Sequence, residues 1–254
     1  MIPKVIHYCW FGRNPLPKSA VKCIDSWRKY LPDYEIKEWN EDNFDVNAIP
    51  YTAEAYSVGK YAFVSDYARF WILYHYGGVY FDTDVEVIKP IDDIVEKGAY
   101  MGIEEVCRIT PEDIEGYPLV NPGLGTGTEA GNEFYKKMLD HYSSIHYMRD
   151  DGTVLPGTVV AHTTRMLVKE GLQKDMGFQH IAGIWIYPRD YFNPFDDITG
   201  RLNKTERTRS IHWFARTWQK QNPYRLWLSR LSHRLFGLTF YKLRRKLSGK
   251  KEVD

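Results

Sequence analysis

The run Tyr76-Gly77-Gly78-Val79-Tyr80-Phe81-Asp82-Thr83-Asp84 constrains this chain more than any other segment. An apolar β-type stretch ends in two carboxylates one residue apart. Along a strand, residues i and i+2 share a face, so Asp82 and Asp84 converge if the strand continues through them. If the chain turns off instead, a loop still aims both at one point. Two neighbouring anions repel unless a cation lies between them, and carboxylate oxygens suit Mg²⁺ or Mn²⁺. An ion held by two carboxylates keeps open positions, which is how such ions usually take substrate phosphates. The plain alternative is an acidic turn after an edge strand, because Asp-x-Asp by itself is frequent. The glycines ahead of it weigh toward function, since they let backbone or ligand approach closely.

Around this segment the sequence reads as alternating strands and helices. Ile2–Phe11 has the character of a buried strand, followed by a turn at Gly12-Arg13-Asn14-Pro15. Ser19–Tyr30 predicts a helix closed by Pro32, Tyr34–Trp39 a strand, and Pro50–Ser57 a short helix. Tyr61–Tyr76 predicts a longer helix closed by Gly77-Gly78. Val79–Phe81 and Val85–Ile88 follow as strands, the second stopped by Pro90. This order implies an α/β domain with a central, mostly parallel sheet flanked by helices. Ligands of such sheets lie beyond the carboxyl ends of the strands. Trp10 and the Asp82–Asp84 pair fall at two such ends. In the second half Asn132–Ser144 and Thr158–Lys169 read as helices, and Ile184–Tyr187 and Ser210–Trp213 as strands.

The 254 residues are 43% hydrophobic and 26% charged, enough for one domain with a sizeable core. No run of 18 apolar residues occurs, so no membrane-spanning helix is expected. The opening Met1-Ile2-Pro3-Lys4-Val5-Ile6-His7 lacks the basic-then-apolar pattern of a signal peptide. Cys9, Cys23 and Cys107 form neither a zinc spacing nor an even disulfide set. The expectation is a reduced, cytoplasmic protein. The net charge of +1 hides an asymmetry. Arg216–Asp254 carries eleven Lys/Arg and two acids, so the rest of the chain is acidic. A basic tail on an acidic globule predicts contact with something anionic.

Within Tyr61–Tyr76 (YAFVSDYARFWILYHY) the only formally charged residues are Asp66 and Arg69. A helix so apolar all round is buried on most faces. Three residues apart, Asp66 and Arg69 are neighbours on one face. They read either as a structural ion pair or as polar ligand contacts beside Asp82. Two charges in an apolar helix are costly without partners, and the helix ends just before the carboxylate pair, which favours the second reading. Most of the eight histidines read as surface or core residues. His212, in Ser210-Ile211-His212-Trp213, is the one that suits a third metal ligand. Trp10 reads as a core tryptophan or as a face for a base. Asn121-Pro122-Gly123-Leu124-Gly125-Thr126-Gly127 lacks phosphate-loop spacing and reads as a plain loop, with a close backbone approach to a sugar as the alternative. On a helical wheel of Tyr224–Leu247, Trp227, Leu228, Leu231, Leu235 and Leu238 share one arc, and Arg225, Ser229, Arg230, Ser232 and His233 lie opposite. With Arg244-Arg245-Lys246 this suggests an interfacial helix on an anionic membrane. The alternative is a helix packed on its own globule. RNA binding lacks a module signature.

Together these segments resemble the family 32 glycosyltransferases, the sugar-binding group with a DXD motif. Its bacterial members often sit in capsule or O-antigen clusters, and yeast mannosyltransferases are related. The resemblance covers roughly residues 1–218, leaving 219–254 as the tail. It is carried by Ile2–His7 with Trp10-Phe11-Gly12, by Ser65-Asp66-Tyr67-Ala68-Arg69, by Gly77–Asp84, and by Ile211-His212-Trp213. The family's Ser-Trp near the end stands here as Thr217-Trp218. The resemblance implies a GT-A fold and a retaining, Mn²⁺- or Mg²⁺-dependent transferase. The donor would be a UDP-sugar, with galactose the first guess, and the acceptor a lipid-linked surface glycan. It implies that Asp84 binds the metal directly, that Asp82 touches ribose or sugar through the metal shell, and that His212 completes that shell. Asp66 and Arg69 would hold sugar hydroxyls and steer the diphosphate. Trp10 would lie by the base, with Asn121 and Trp218 as further donor contacts. Two rivals remain. A haloacid-dehalogenase-type phosphatase also places Asp-x-Asp after an apolar strand, but needs Thr or Val where this chain has Glu86. A non-catalytic nucleotide-sugar or glycan-binding protein would keep the fold without turnover.

Overall fold

The strand expected at the start forms as β1 (Val5–Cys9), four of its five residues buried. The computed structural model describes residues 1–106, 112–154, 157–215, 227–232 and 234–235. After β1 come α1 (Lys18–Tyr30), β2 (Glu35–Trp39), α2 (Pro50–Ser57), α3 (Tyr61–Tyr76), β3 (Gly78–Tyr80) and β4 (Val85–Val87). Next are α4 (Asp92–Val95), β5 (Tyr100–Val106), β6 (Pro118–Asn121), β7 (Thr126–Thr128), α5 (Glu133–Ser143) and α6 (Val159–Lys169). The chain continues through β8 (Gln179–Ile181), β9 (Ile184–Tyr187), α7 (Arg189–Phe192), β10 (Phe195–Asp196), β11 (Arg201–Leu202) and β12 (Ser210–His212).

The main sheet has the order β2-β1-β3-β7-β5-β9-β8, with β6 also on β5. β1 pairs in parallel with β2 and β3, and β5 with β9. β7 is antiparallel to both β3 and β5, so β3 and β5 point the same way. Thus β1, β2, β3, β5 and β9 share one direction, and β6, β7 and β8 oppose it. The expected α/β class is present, in a mixed sheet whose five co-directional strands carry their carboxyl ends to one rim. Antiparallel β6, β7 and β8 were not anticipated. Asn121–Gly127, read as a loop, holds the end of β6, a turn and the start of β7. Val85–Ile88 also departs from expectation. It leaves the main sheet, and β4 pairs antiparallel with β12 instead.

α3 lies against α2 and α5 on one face, in a cluster that includes Phe70, Tyr135, Tyr142, Met101 and Ile103. Only His75 and Tyr76 of α3 are exposed, as its all-round apolar character predicts. The other face packs α1 under Val79, Phe81 and Tyr100. There Trp27 is fully buried and its Nε1 donates to Val85 O at 2.7 Å. An indole so placed is worth about 3–5 kcal/mol against truncation. The α3–β3 junction needs glycine twice. Gly77 and Gly78 have φ of 63° and 102°, and a Cβ at either would lie within 3.0 Å of backbone atoms. This tight turn fixes where β3 starts and so where Asp82 emerges. α5 and α6 are capped by side chains, Asn132 accepting from Phe134 N and Thr158 from Ala161 N.

Of the tail, 227–232 is helical. Arg230 pairs with Asp197 at 2.8 Å and lies over the Phe195 ring at 5.2 Å, while Arg234 donates to Thr199 O and Gly200 O. Trp227, Leu228 and Leu235 are exposed. The basic cluster Arg244-Arg245-Lys246 and the domain boundary at 218/219 lie outside the described residues. Among the described residues no helix is long and apolar enough to cross a membrane.

Candidate active site

β3 ends at Tyr80, although Phe81 N still donates to His7 O at 3.2 Å. The chain then turns. Asp82 N donates to Gly123 O and Val85 N to Asp82 O, both at 3.0 Å. Asp82 and Asp84 therefore sit on a turn beyond the strand, the second of the two geometries that the spacing allowed. The register of β4 with β12 sets His212 opposite Val85, one residue from Asp84. His212 Nε2 lies 3.1 Å from Asp84 Oδ1 and 3.9 Å from Asp82 Oδ2. Asp84 is held in place by Ala215 N, which donates to its Oδ2 at 2.7 Å. The ligand atoms of Asp82, Asp84 and His212 all lie within 4.8 Å of one another.

α3 brings two more charges to this point. Arg69 Nη2 donates to Asp66 Oδ1 at 3.1 Å, and Arg69 Nε to Ser65 O at 3.1 Å. The guanidinium lies over the Tyr80 ring at 4.8 Å, and Arg69 Nη1 is 3.3 Å from Asp82 Oδ1. That last approach is close but misaligned, and Nη1 makes no hydrogen bond despite its burial. Both sequence readings of Asp66 and Arg69 are thus met at once: they form a buried ion pair, and that pair adjoins Asp82. Tyr80, which sequence reasoning passed over, donates from its hydroxyl to Asp82 Oδ1 at 3.1 Å.

The electrostatics follow from burial and these partners. Burial pushes the Asp66 carboxyl up to about 7; Arg69 pulls it down, Asp82 pushes it further up, and the Val159 backbone N–H at the start of α6 pulls it down. Burial would lower the His212 imidazole, but the Asp84 charge and hydrogen bond, with Asp82 behind them, raise it to about 9. Burial opposes the charge on Asp84 as well, and the His212 cation outweighs it, holding that carboxyl below its ordinary range. Arg69 stays charged against its burial because Asp82, Tyr80 and Asp66 surround it.

The turn between β6 and β7 packs onto this cluster. Asn121 Oδ1 accepts from Gly123 N at 2.6 Å, and Asn121 Nδ2 donates to Glu104 Oε2 at 2.7 Å. A Cβ on Gly123 would fall 1.9 Å from Asp82 Oδ2. The close backbone approach raised for this segment is therefore made to a carboxylate of the site.

All of these groups face one cleft of about 810 Å³. Trp10, Asp66, Arg69, Asp82, Asp84, Asn121 and His212 line it together. Trp10 is half-buried, and its Nε1 donates to Asn14 O at 2.6 Å, which orients the ring. Trp218 lies outside the described residues. Glu104 and the Thr158–Val159 end of α6 also line the cleft and were not singled out from sequence. Two carboxylates and an imidazole make a hard-to-borderline donor set, which fits Mn²⁺ or Mg²⁺.

Residues 17–100 match the family described as "Glycosyltransferase sugar-binding region containing DXD motif". The match runs from just before α1 to the start of β5 and so contains Asp66, Arg69, Asp82 and Asp84. Among curated proteins, the chain is similar to inositol phosphoceramide mannosyltransferase 1 of Schizosaccharomyces pombe, at 31% identity over 39% of this chain and 33% of that protein. It is also similar to the initiation-specific alpha-1,6-mannosyltransferase of Candida albicans, at 26% identity over 53% of this chain and 45% of that one. The chain thus spans a third to a half of the length of these relatives. A solved galactosyltransferase, LgtC, aligns with a TM-score of 0.46 at 13% identity, covering 90% of this chain and 95% of that one. These sequence matches support glycosyltransferase as the general class.

Proposed function

We propose that this chain transfers a hexose from a nucleotide sugar to a glycan acceptor, with retention at the anomeric carbon. The observation that carries the reading is the meeting of Asp82, Asp84 and His212 with the unbonded Arg69 Nη1 in one cleft. A site for metal alone has no use for a buried guanidinium. A diphosphate does, because an Arg fork suits phosphate oxygens. Asp82, Asp84 and His212 would hold Mn²⁺ or Mg²⁺, which when bound supplies Lewis-acid stabilisation of the diphosphate. Arg69 would stabilise the negative charge that grows on the diphosphate as the bond to C1 breaks. Asp66, largely desolvated, would accept sugar hydroxyls. Trp10 would pack by the base, and Trp218 would add a donor contact. The acceptor oxygen would attack C1 from the face that the diphosphate leaves, with the hydroxyl proton passing to the departing phosphate oxygen. No separate nucleophile is required for this route.

UDP-galactose is the first donor to test. GDP-mannose stands beside it, because the two relatives above are named as mannosyltransferases. A lipid-linked surface glycan as acceptor would place the protein on the inner face of the membrane. The exposed Trp227, Leu228 and Leu235, with Arg230 and Arg234 turned to the globule, support that reading of the tail. A phosphatase reading finds no support: Glu86, at the position where that class needs Thr or Val, accepts from Trp213 Nε1 at 2.9 Å.

A thermal-shift screen of nucleotide sugars with and without Mn²⁺ tests the proposal, since a ligand of the folded state raises apparent stability. One donor is expected to stabilise the protein only with metal. Asp84→Ala should abolish that shift and transfer together. A wild-type protein that responds to no nucleotide sugar, or an Asp84→Ala variant that responds fully, refutes it. Tight nucleotide binding without transfer to any acceptor would instead favour a binding protein.

A further inference from the structure

Glu104 sits where β5 loses its register. Ile103 pairs with Val120 and Glu105 with Leu119, so Glu104 is the extra residue of a β-bulge. Such bulges re-aim a side chain and often adjoin active sites. Here the side chain lines the cleft, half-buried, and takes a hydrogen bond from Asn121 Nδ2 at 2.7 Å. Its backbone is pinned too, Glu104 O accepting from Asn193 Nδ2 at 3.1 Å. A carboxylate held from both its main chain and its tip costs rotamer entropy in a cleft.

Sheet order says which part of a ligand this carboxylate meets. Along the rim, the sequence β1-β3-β7-β5 puts Trp10 at the end of β1, the Asp82–Asp84 turn beyond β3, and Glu104 near the end of β5. Strands are about 4.8 Å apart, so Glu104 lies roughly 10 Å from β3 on the side away from Trp10. If base and diphosphate occupy the Trp10 and Asp82–Asp84 positions, the group beyond the diphosphate faces Glu104. On the transferase reading, that group is a sugar. Two carboxylate oxygens offer up to about four acceptor sites, and Asn121 Nδ2 has a second N–H besides the one given to Glu104. An acceptor beside a donor is the arrangement that reads a hydroxyl group.

We propose that Glu104, aimed by the β5 bulge and paired with Asn121, is a specificity residue that accepts a hydrogen bond from a sugar hydroxyl beyond the diphosphate. The hydroxyl belongs either to the transferred sugar or to the acceptor. The assignment rests on the glycosyltransferase reading, and the experiment separates the two.

Full-length wild type and Glu104→Gln, which keeps shape and can still accept from Asn121, are titrated calorimetrically with UDP, UDP-galactose, GDP and GDP-mannose in Mn²⁺. Transfer to octyl galactoside and octyl mannoside is then measured. With the nucleotide unchanged within about twofold, Glu104→Gln should weaken the nucleotide sugar about tenfold to hundredfold, the scale of a charged hydrogen bond. That result assigns the hydroxyl to the donor. Unchanged donor binding with an acceptor KM raised by a similar factor assigns it to the acceptor. Glu104→Asp, one methylene shorter, should fail in the same arm. Wild-type behaviour of Glu104→Gln in both arms overturns the proposal. Loss of bare nucleotide binding also overturns it, since Glu104 then serves the scaffold. A wild-type protein that binds none of the four ligands refutes the transferase reading itself, and this assignment with it.

Discussion

Replacing Gly123 with Ala adds a single methyl group in a place where the structure leaves no room. The new Cβ would stand 1.9 Å from Asp82 Oδ2, 2.8 Å from Asp82 Cγ and 3.0 Å from Arg69 Nη1. Gly123 is not among the positive-φ residues, so the backbone accepts Ala and the effect is one of space alone. Restoring van der Waals distance requires the carboxylate or the turn to move by about 1.5 Å. Metal–ligand distances tolerate only about 0.2 Å. Arg69 is buried and cannot retreat, whereas the Asp82 side chain is 29% exposed, so Asp82 should yield. The stability cost should therefore be small, about 1 kcal/mol or less, while Mn²⁺ affinity and Mn²⁺-dependent nucleotide binding fall about tenfold to hundredfold. Gly127→Ala is the control. Its Cβ would lie 2.5 Å from Cε1 of the fully buried Tyr100, away from the cleft. It should cost about 1–3 kcal/mol of stability and leave the folded protein's Mn²⁺ affinity intact. Calorimetric Mn²⁺ titration paired with urea melts separates these effects. Normal Mn²⁺ binding by a folded Gly123→Ala variant would refute the reasoning, and so would an equal loss in Gly127→Ala.

Two other outcomes follow from the same structure. His7 is buried, donates from Nε2 to Gly77 O at 3.0 Å and accepts from Trp39 Nε1 on Nδ1, and burial holds its pKa down to about 4 against 6.5. The unfolded chain takes up that proton first on acidification, so stability is full above pH 6.5 and falls toward pH 4, by up to about 3 kcal/mol from this group. Urea midpoints across that range should show the slope in wild type and lose that share of it in His7→Gln; equal slopes would remove His7 from the account. For the tail, sedimentation with anionic vesicles should weaken on deletion of residues 224–254 and with added salt. Salt-insensitive sedimentation of both chains would point to a helix that serves only the globule.

How much of this site was legible depended on whether its signal was local. α3 announces itself by sixteen residues of apolar sequence between Lys60 and two glycines, and the turn after it is fixed by backbone sterics at Gly77 and Gly78. Asp66, Arg69, Asp82 and Asp84 were therefore readable in place. His212 could be singled out as a third ligand, but its place beside Asp84 could not be read locally: it reaches Asp84 only because β12 pairs with β4 across more than a hundred residues. Glu104 left no signal at all. β5 reads YMGIEEV, with a glycine and two acids in place of clean alternation, and the bulge that aims Glu104 breaks the period by which a strand is recognised. β7 was lost in a glycine-rich segment for a related reason. Its strand character comes from pairing with β3 and β5 and not from its own Thr-Gly-Thr.

Asp82 and Asp84 repel unless a cation lies between them, and the structure supplies cations from the protein itself. Asp82 faces Arg69, and Asp84 faces a His212 whose pKa is raised to about 9. Asp66, its pKa raised to about 7 by burial, adds only a partial charge near neutrality. The cluster is close to balanced on its own, so the carboxylate pair by itself does not demand a metal. What points to one is the convergence of three ligand atoms of the right chemistry at a turn that Gly123 keeps tight. What points past the metal is Arg69. Two of its nitrogens are committed to Ser65 and Asp66, and Nη1 is left facing Asp82 without a hydrogen bond. A buried donor left unmade costs about 1–3 kcal/mol. A fold carries such a cost where a ligand repays it, and an anionic oxygen beside Asp82 would do so.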